Sequence, residues 1–314
     1  GSSFLSPENN INNKIMALSN KKNVRRKKYS LKWLWKASII PEVLPVVFCY
    51  GFISLVVFVL YESGINVSFS TIGLAIPAVV LGLLLVFRTN TAYDRFWEAR
   101  KLWGSQINTT RSLAQSIWTL VPTINQVHAQ EKQKISQLLP AFAVATKLYL
   151  RSEPIDQELI NLLSPQQYKL LCQQAHPPLT ILGWLRVWVK QQFQHNYIGD
   201  REYIYLFELI DILNADLGAY ERILNTPMPL AYSLHLRHLI YLYCLLFPFQ
   251  VVDSLQWLTI PATCLVAFAL FGIEEIGVEI QNPFGYDEND LELNRYCQII
   301  QNNVAEIMTT AKED

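Results

Sequence analysis

Ile65 to Phe87 is a run of 23 residues without an ionisable side chain, and it stops at Arg88 in the polar, aromatic stretch that reaches Gly104. At 1.5 Å per residue such a helix reaches about 34 Å, enough to cross a hydrocarbon core of about 30 Å. No turn signal follows until Pro122. One helix is therefore predicted to begin in lipid and continue into water, which suits a pore-lining element better than a simple anchor.

Three further apolar runs share its character. Val43 to Tyr61 is uncharged between Glu42 and Glu62, with Pro45 near its start. Leu239 to Val252 is apolar and extends backwards to Pro229, while Ser254 to Ile273 is a clean run of 20 residues, and Asp253 between the two is predicted to sit at a tight hairpin. Four transmembrane helices follow.

The segment between residues 88 and 238 has a helical pattern instead. Helices are predicted over Arg88 to Leu120, Ile124 to Arg151 with Pro140 inside, Ile155 to Ala175, Leu179 to Gln194 and Arg201 to Leu224. The breaks are Val121-Pro122, Ser152 to Pro154, His176 to Pro178 and Asn196 to Gly199. After the fourth span comes a loop, Gln281 to Tyr286, and then a last helix from about Asp290 to Thr310. The fold class is all-α.

Charge decides the orientation. Overall the formal net charge is zero, which points to neither nucleic acid nor an acidic partner. By position, Lys and Arg are absent between Lys36 and Arg88 and between Arg237 and Arg295, and they cluster in Lys21 to Lys36, after Phe87 and just before Leu239. By the excess of basic residues in cytoplasmic flanks, both termini and the middle of the chain face the cytoplasm. The basic cluster beside Trp33 and Trp35 is read as an interfacial lipid anchor rather than a nucleic-acid site.

The chain divides on this reading into a tag scar and loose segment (1–20), a basic amphipathic segment with spans one and two (21–87), a cytosolic helical domain (88–228), spans three and four (229–273), and a cytosolic loop with the C-terminal helix (274–314). Catalytic signatures are missing: there is no Gly-rich phosphate loop or Ser-centred elbow, and the protein is not read as an enzyme. The five cysteines are scattered without a CxxC, and His235 and His238 have no matching carboxylate or thiol to complete a metal site.

Two segments are specific enough to name a family. The stretch from Gly82 to Gly104, with Phe87-Arg88, Asn90, Tyr93, Arg95, Trp97-Glu98, Arg100 and Trp103-Gly104, resembles the second-helix signature of the bestrophin ion channels, particularly their bacterial and plastid branch. Asn282-Pro283-Phe284-Gly285, followed by acidic Asp287 to Asp290, resembles the loop after their fourth span, and Asn225 to Pro229 resembles the segment before their third. The three occur in the expected order.

The resemblance implies a homopentamer with one pore on its fivefold axis and a helical cytosolic vestibule, in a prokaryotic plasma membrane or a photosynthetic membrane. It places a hydrophobic neck on Val79, Leu83 and Phe87, and a second constriction at the cytosolic exit on Met228. The neck positions are spaced i, i+4, i+8, so they share one helix face independently of the family. No cofactor is required. Calcium is a candidate ligand, since the resemblance maps a clasp onto Glu279, Asn282, Asp287 and Asp290, an oxygen-rich set of the kind calcium takes. The competing reading has Asp290 capping the last helix.

The implied partners are further copies of the chain, the lipid membrane and monovalent ions. Arg88, Arg95 and Arg100 near the inner end of the pore helix favour anions such as chloride, with bicarbonate a further candidate, but Asp94, Glu98, Glu274, Glu275 and Glu279 lie in comparable positions. A cation-selective channel, a secondary transporter and a non-conducting scaffold are the alternatives.

Overall fold

The computed structural model describes residues 38–69 and 75–311. The predicted basic anchor with Trp33 and Trp35, and the loose segment before it, lie outside the described residues. Ten α-helices are described: α1 Ile40–Glu62, α2 Ala75–Leu120, α3 Gln126–Leu150, α4 Gln157–Ile160, α5 Pro165–Leu171, α6 Pro177–Gln194, α7 Asp200–Asn225, α8 Leu230–Leu255, α9 Thr259–Glu279 and α10 Leu293–Thr310, with a 3-10 turn at Gln256–Leu258 between α8 and α9. No strand occurs among the described residues.

The chain forms two compact units. One comprises the described residues up to Thr89 and Leu230–Val278; the other comprises Asn90–Pro229 and the described residues from Glu279 onwards. Helix α2 is a single 46-residue element to which both units contribute.

In the first unit three helical stretches are long and apolar enough to cross a membrane: Ile40–Glu62, part of Ala75–Leu120, and the 50 residues Leu230–Glu279. The third folds back on itself. Arg237 reaches Glu274 at 3.0 Å, and the rings of Tyr241 and Phe271 lie 5.2 Å apart, so pairing advances along α8 as it retreats along α9. The reversal does not fall at Asp253, as the charge pattern predicts. Helix α8 continues through that residue, and the 3-10 turn after Leu255 makes the bend. A lone carboxylate at a helix end does not break the helix, and Asp253 accepts a hydrogen bond from the Tyr61 hydroxyl at 2.7 Å.

The helix predicted from Ile65 is described only from Ala75. Ile65 to Phe69 is non-helical, and the Phe69 N–H donates to the Phe249 carbonyl while the two rings stack. Asn66 and Ser68 bond to each other at 3.1 Å, which offers the backbone a local alternative to a helix. The described apolar part of α2, from Ala75 to Phe87, accounts for about 20 Å of helix.

Within this unit the helices are joined by polar contacts among apolar ones. Val43, Val47, Leu81, Leu85, Leu236, Ile240 and Ala267 form its core. The Tyr50 hydroxyl donates to the Tyr241 carbonyl at 3.1 Å, the Tyr232 hydroxyl to the Leu84 carbonyl at 2.7 Å, and the Thr263 and Ser54 hydroxyls meet at 3.2 Å. Such bonds between spans are expected where water cannot compete for the donors.

The second unit is built around α3, whose residues from Leu138 to Leu148 are all buried and which packs against α6, α7 and α10. Its N-terminus is capped by Asn125, whose side chain accepts the His128 N–H at 2.8 Å. Lys132 is almost fully buried and turns back onto the end of α2, where its ammonium donates to the Val121 carbonyl at 2.6 Å and the Thr123 hydroxyl at 3.1 Å and lies 4.8 Å from the Trp118 ring. A cation at the negative end of a helix is favourable, but burial lowers the Lys132 pKa. The helix predicted over Ile155 to Ala175 is two short helices. Ser164 and Gln167 form a capping box ahead of Pro165 and start α5 afresh. In α7, Asp216 is buried with one carboxylate oxygen lacking a partner, and burial pushes its pKa up to about 6 against the lowering effect of a bond from Ser105.

Candidate ion pathway

Helix α2 presents two unlike faces. Leu81, Leu85 and Arg88 are buried, whereas Ile76, Val79, Leu83 and Phe87 are 75%, 66%, 56% and 62% exposed. Val80 and Val86 are also exposed, at 44% and 55%, so the exposed residues form a broad apolar face centred near Leu83 and opposite Leu81 and Leu85. Tyr93 and Trp97 continue it beyond the apolar stretch. A leucine left in the open gains nothing in water, so a face of this kind points to lipid, to another protein surface or to a passage lined by apolar groups.

The arginines that the sequence offers for ion selectivity are engaged inside the fold. Arg88 is 3% exposed; it donates to the Ser233 hydroxyl at 2.9 Å and lies 3.5 Å from Glu274, which Arg237 holds from the other side. Gly277 makes room for it, because a Cβ there would stand 3.2 Å from the guanidinium. Arg95 donates to the carbonyls of Ile223, Thr226 and Gln281 at 2.5, 2.5 and 3.1 Å. It thereby takes carbonyls at the end of α7 that have no partner within the helix. Arg100 lies over the Tyr296 ring at 5.2 Å, and Glu98 pairs with Arg222. Sequence reasoning placed these charges correctly on α2 but missed their partners, which lie more than a hundred residues away along the chain.

Met228 sits in the short non-helical segment between α7 and α8, half-buried. Arg95 fixes this segment through the Thr226 carbonyl and the segment after α9 through Gln281.

The Asn282 to Gly285 loop is anchored from within. Phe284 is fully buried, edge-on to Tyr220 at 5.9 Å. Arg151 donates to the Phe284 and Gly285 carbonyls, each at 2.9 Å, and stacks 3.8 Å from the Tyr286 ring. A Cβ on Gly285 would meet Asp290 Oδ2 at 2.7 Å and displace that carboxylate. That oxygen accepts the Asp287 N–H at 2.8 Å, while Asp290 Oδ1 is buried without a partner, and burial raises this carboxyl to about 6. Asp290 is not the cap of the last helix. Helix α10 begins at Leu293 behind Glu292, and Asp290 closes the loop instead.

The candidate calcium ligands are near neighbours: a Cβ on Gly285 would stand 2.7 Å from Asp290 Oδ2 and 3.9 Å from the Asn282 amide nitrogen, and the charges of Asp287 and Glu279 help to raise the Asp290 pKa. Glu279 accepts from the Asn289 amide at 3.0 Å, and Asn282 and Asp287 are exposed. Among the described residues, no group of three or more His, Cys, Asp or Glu side chains could hold a metal ion. The Phe284 and Gly285 carbonyls, which receive the Arg151 guanidinium, are not among these candidate ligands.

Comparison with known proteins accords with this architecture. The family model for the bacterial and fungal bestrophin protein matches residues 19–306. A voltage-dependent anion channel-forming protein of Nostoc sp. is 46% identical over 279 residues, 89% of this chain and 91% of that protein. A protein of the same description from Synechocystis sp. is 46% identical over 275 residues, covering 87% and 89%. A crystal structure of a bacterial bestrophin homolog from Klebsiella pneumoniae superposes with a TM-score of 0.79 at 25% identity, covering 85% of this chain and 98% of that one.

The match to a channel family, together with helices long and apolar enough to cross a membrane among the described residues, makes this an integral membrane protein of the channel class. The chain belongs to the bacterial and fungal bestrophin family.

Proposed function

We propose that this chain is the subunit of a homopentameric anion channel whose pore is lined by α2, with a neck at Val79, Leu83 and Phe87 and a cytosolic aperture at Met228. The observation that carries the reading is the broad exposed apolar face of α2, centred near Leu83, opposite a buried face that holds Leu81, Leu85 and Arg88. Few spans in one chain cannot enclose a pore, whereas a head-to-tail ring of copies can. In such a ring α1, α2, α8 and α9 each cross the bilayer, residues 88–228 and 274–314 form the cytosolic part, and both termini are cytoplasmic. The names of the relatives support anions over cations. Bare methyl and phenyl groups offer a permeating ion no hydrogen bonds, so the neck conducts when it widens or wets.

Single-channel recording of the purified protein in planar bilayers under asymmetric salt tests the proposal. Currents that reverse near the anion equilibrium potential are expected, and Leu83→Ala with Phe87→Ala should raise them while light scattering in detergent still gives the mass of five chains. Unchanged current with lowered thermal stability, or a monodisperse monomer, would overturn it.

A further inference from the structure

We propose that charge discrimination in this channel is set by two opposed rings on the pore helix: Lys101, which attracts anions, and Asp94, which repels them. The inference rests on the pore reading above and deepens it. It follows from the helix register and from which charges remain uncommitted. At about 100° per residue, Lys101 lies 18 residues and five full turns beyond Leu83, in line with it, and Asp94 is within about 20° of that line. Asn90 and Trp97 fill the same stripe between and beside them.

Exposure agrees with register. Asp94 and Lys101 are both exposed, as are Asn90 and Trp97. The other cations in this part of α2 are withdrawn: Arg88 to Ser233 and Glu274, Arg95 to three backbone carbonyls, and Arg100 to the Tyr296 ring. Glu98 is paired with Arg222. Neither Asp94 nor Lys101 forms an ion pair among the described residues. Arg111 is also exposed, but it is turned about 80° from the stripe and lines a groove with Glu306.

In a pentamer each position becomes a ring of five like charges. The two rings are about 10 Å apart along the helix, close to one Debye length at physiological ionic strength, so each partly masks the other. Removing one should unmask its opponent. Rings of charged side chains are a general means of ion selection, and water-filled vestibules with walls of one sign concentrate counter-ions.

The test is the anion-to-cation permeability ratio, from reversal potentials in asymmetric potassium chloride. Lys101→Gln should lower the ratio by roughly threefold or more, Asp94→Asn should raise it comparably, and both shifts should shrink at molar salt. Lys101→Arg should preserve the ratio, and Lys190→Gln, an exposed lysine on α6, should leave it unchanged. Both target side chains are exposed, so their variants should assemble normally. Unaltered ratios in Lys101→Gln and Asp94→Asn, with Leu83→Ala plus Phe87→Ala still raising current, would refute the inference and leave the pore reading intact. Unaltered behaviour in all of them overturns both.

Discussion

In the unit that contains α1, α8 and α9, large apolar side chains are turned outwards: Phe48, Phe52, Leu230 and Leu265 are each at least 65% exposed. The same unit buries Ser54, Thr259, Thr263, Arg88 and Glu274. The unit built on α3 reverses the arrangement. Leu113, Leu139, Phe142, Ile181, Leu213 and Ile300 are fully buried there, and most of its ionisable side chains face outwards. The difference reflects two solvents. In water, burial of apolar area drives packing; in lipid that drive is absent between helices, and polar contacts and close fit hold them together.

Truncations should separate the units most widely. Phe142→Ala should cost about 3 to 5 kcal/mol through lost burial and a cavity, whereas Phe52→Ala, 65% exposed, should cost under about 1 kcal/mol in detergent. Comparable losses in thermal unfolding of the two variants would break the comparison.

Next in size is the polar core of the membrane-compatible unit. Glu274→Ala leaves buried Arg88 without its carboxylate and should cost about 3 kcal/mol or more, with loss of assembly in detergent. Arg237→Ala removes only the partner whose side chain is 43% exposed and should cost about 1 kcal/mol or less, because solvent already screens that pair. If the arginine change proves the more damaging, Glu274 is not the centre of that cluster.

A charge buried in the α3 unit should show itself in pH dependence. Asp216 titrates near 6 in the fold, above the usual carboxylate range, so the fold favours its protonated form. Its contribution to stability is greatest below the unfolded pKa of about 4 and is lost as pH rises through about 6. Relative to Asp216→Asn, which does not titrate, the wild type should therefore gain about 1 kcal/mol between pH 7 and pH 5. Parallel denaturation curves for the two proteins across that range would show that Asp216 is solvated.

The smallest effect expected is that of calcium. The loop around Phe284 is held by Arg151, so millimolar calcium should leave the melting temperature unchanged, while Arg151→Ala should lower stability by about 2 kcal/mol through the loss of charge-assisted bonds to two carbonyls. A calcium-dependent rise that disappears in Asp287→Asn with Asp290→Asn would establish the metal reading.

Local spacing was enough to establish the helices. The breaks at Val121-Pro122, Ser152 to Pro154 and His176 to Pro178 separate observed elements, and α6 and α7 begin and end within two residues of their predicted limits. The common face of Val79, Leu83 and Phe87 is likewise arithmetic of helical repeat. The restart at Ser164-Pro165 was also written locally, as a capping box, and was overlooked within an apparently continuous pattern.

What spacing could not supply is the distant partner of each polar group. Apolar Ile65 to Phe69 reads as membrane helix, yet Phe69 bonds to Phe249, 180 residues away. Arg88, Arg95, Arg100 and Lys101 are four cations on one helix and look interchangeable in the sequence. Tertiary structure commits the first three to Ser233 and Glu274, to the carbonyls of Ile223, Thr226 and Gln281, and to Tyr296, and leaves Lys101 exposed. The reason is physical: helical periodicity is an energy of near neighbours, but whether a charge faces an ion or a carbonyl depends on groups that only the folded chain brings within 3 Å.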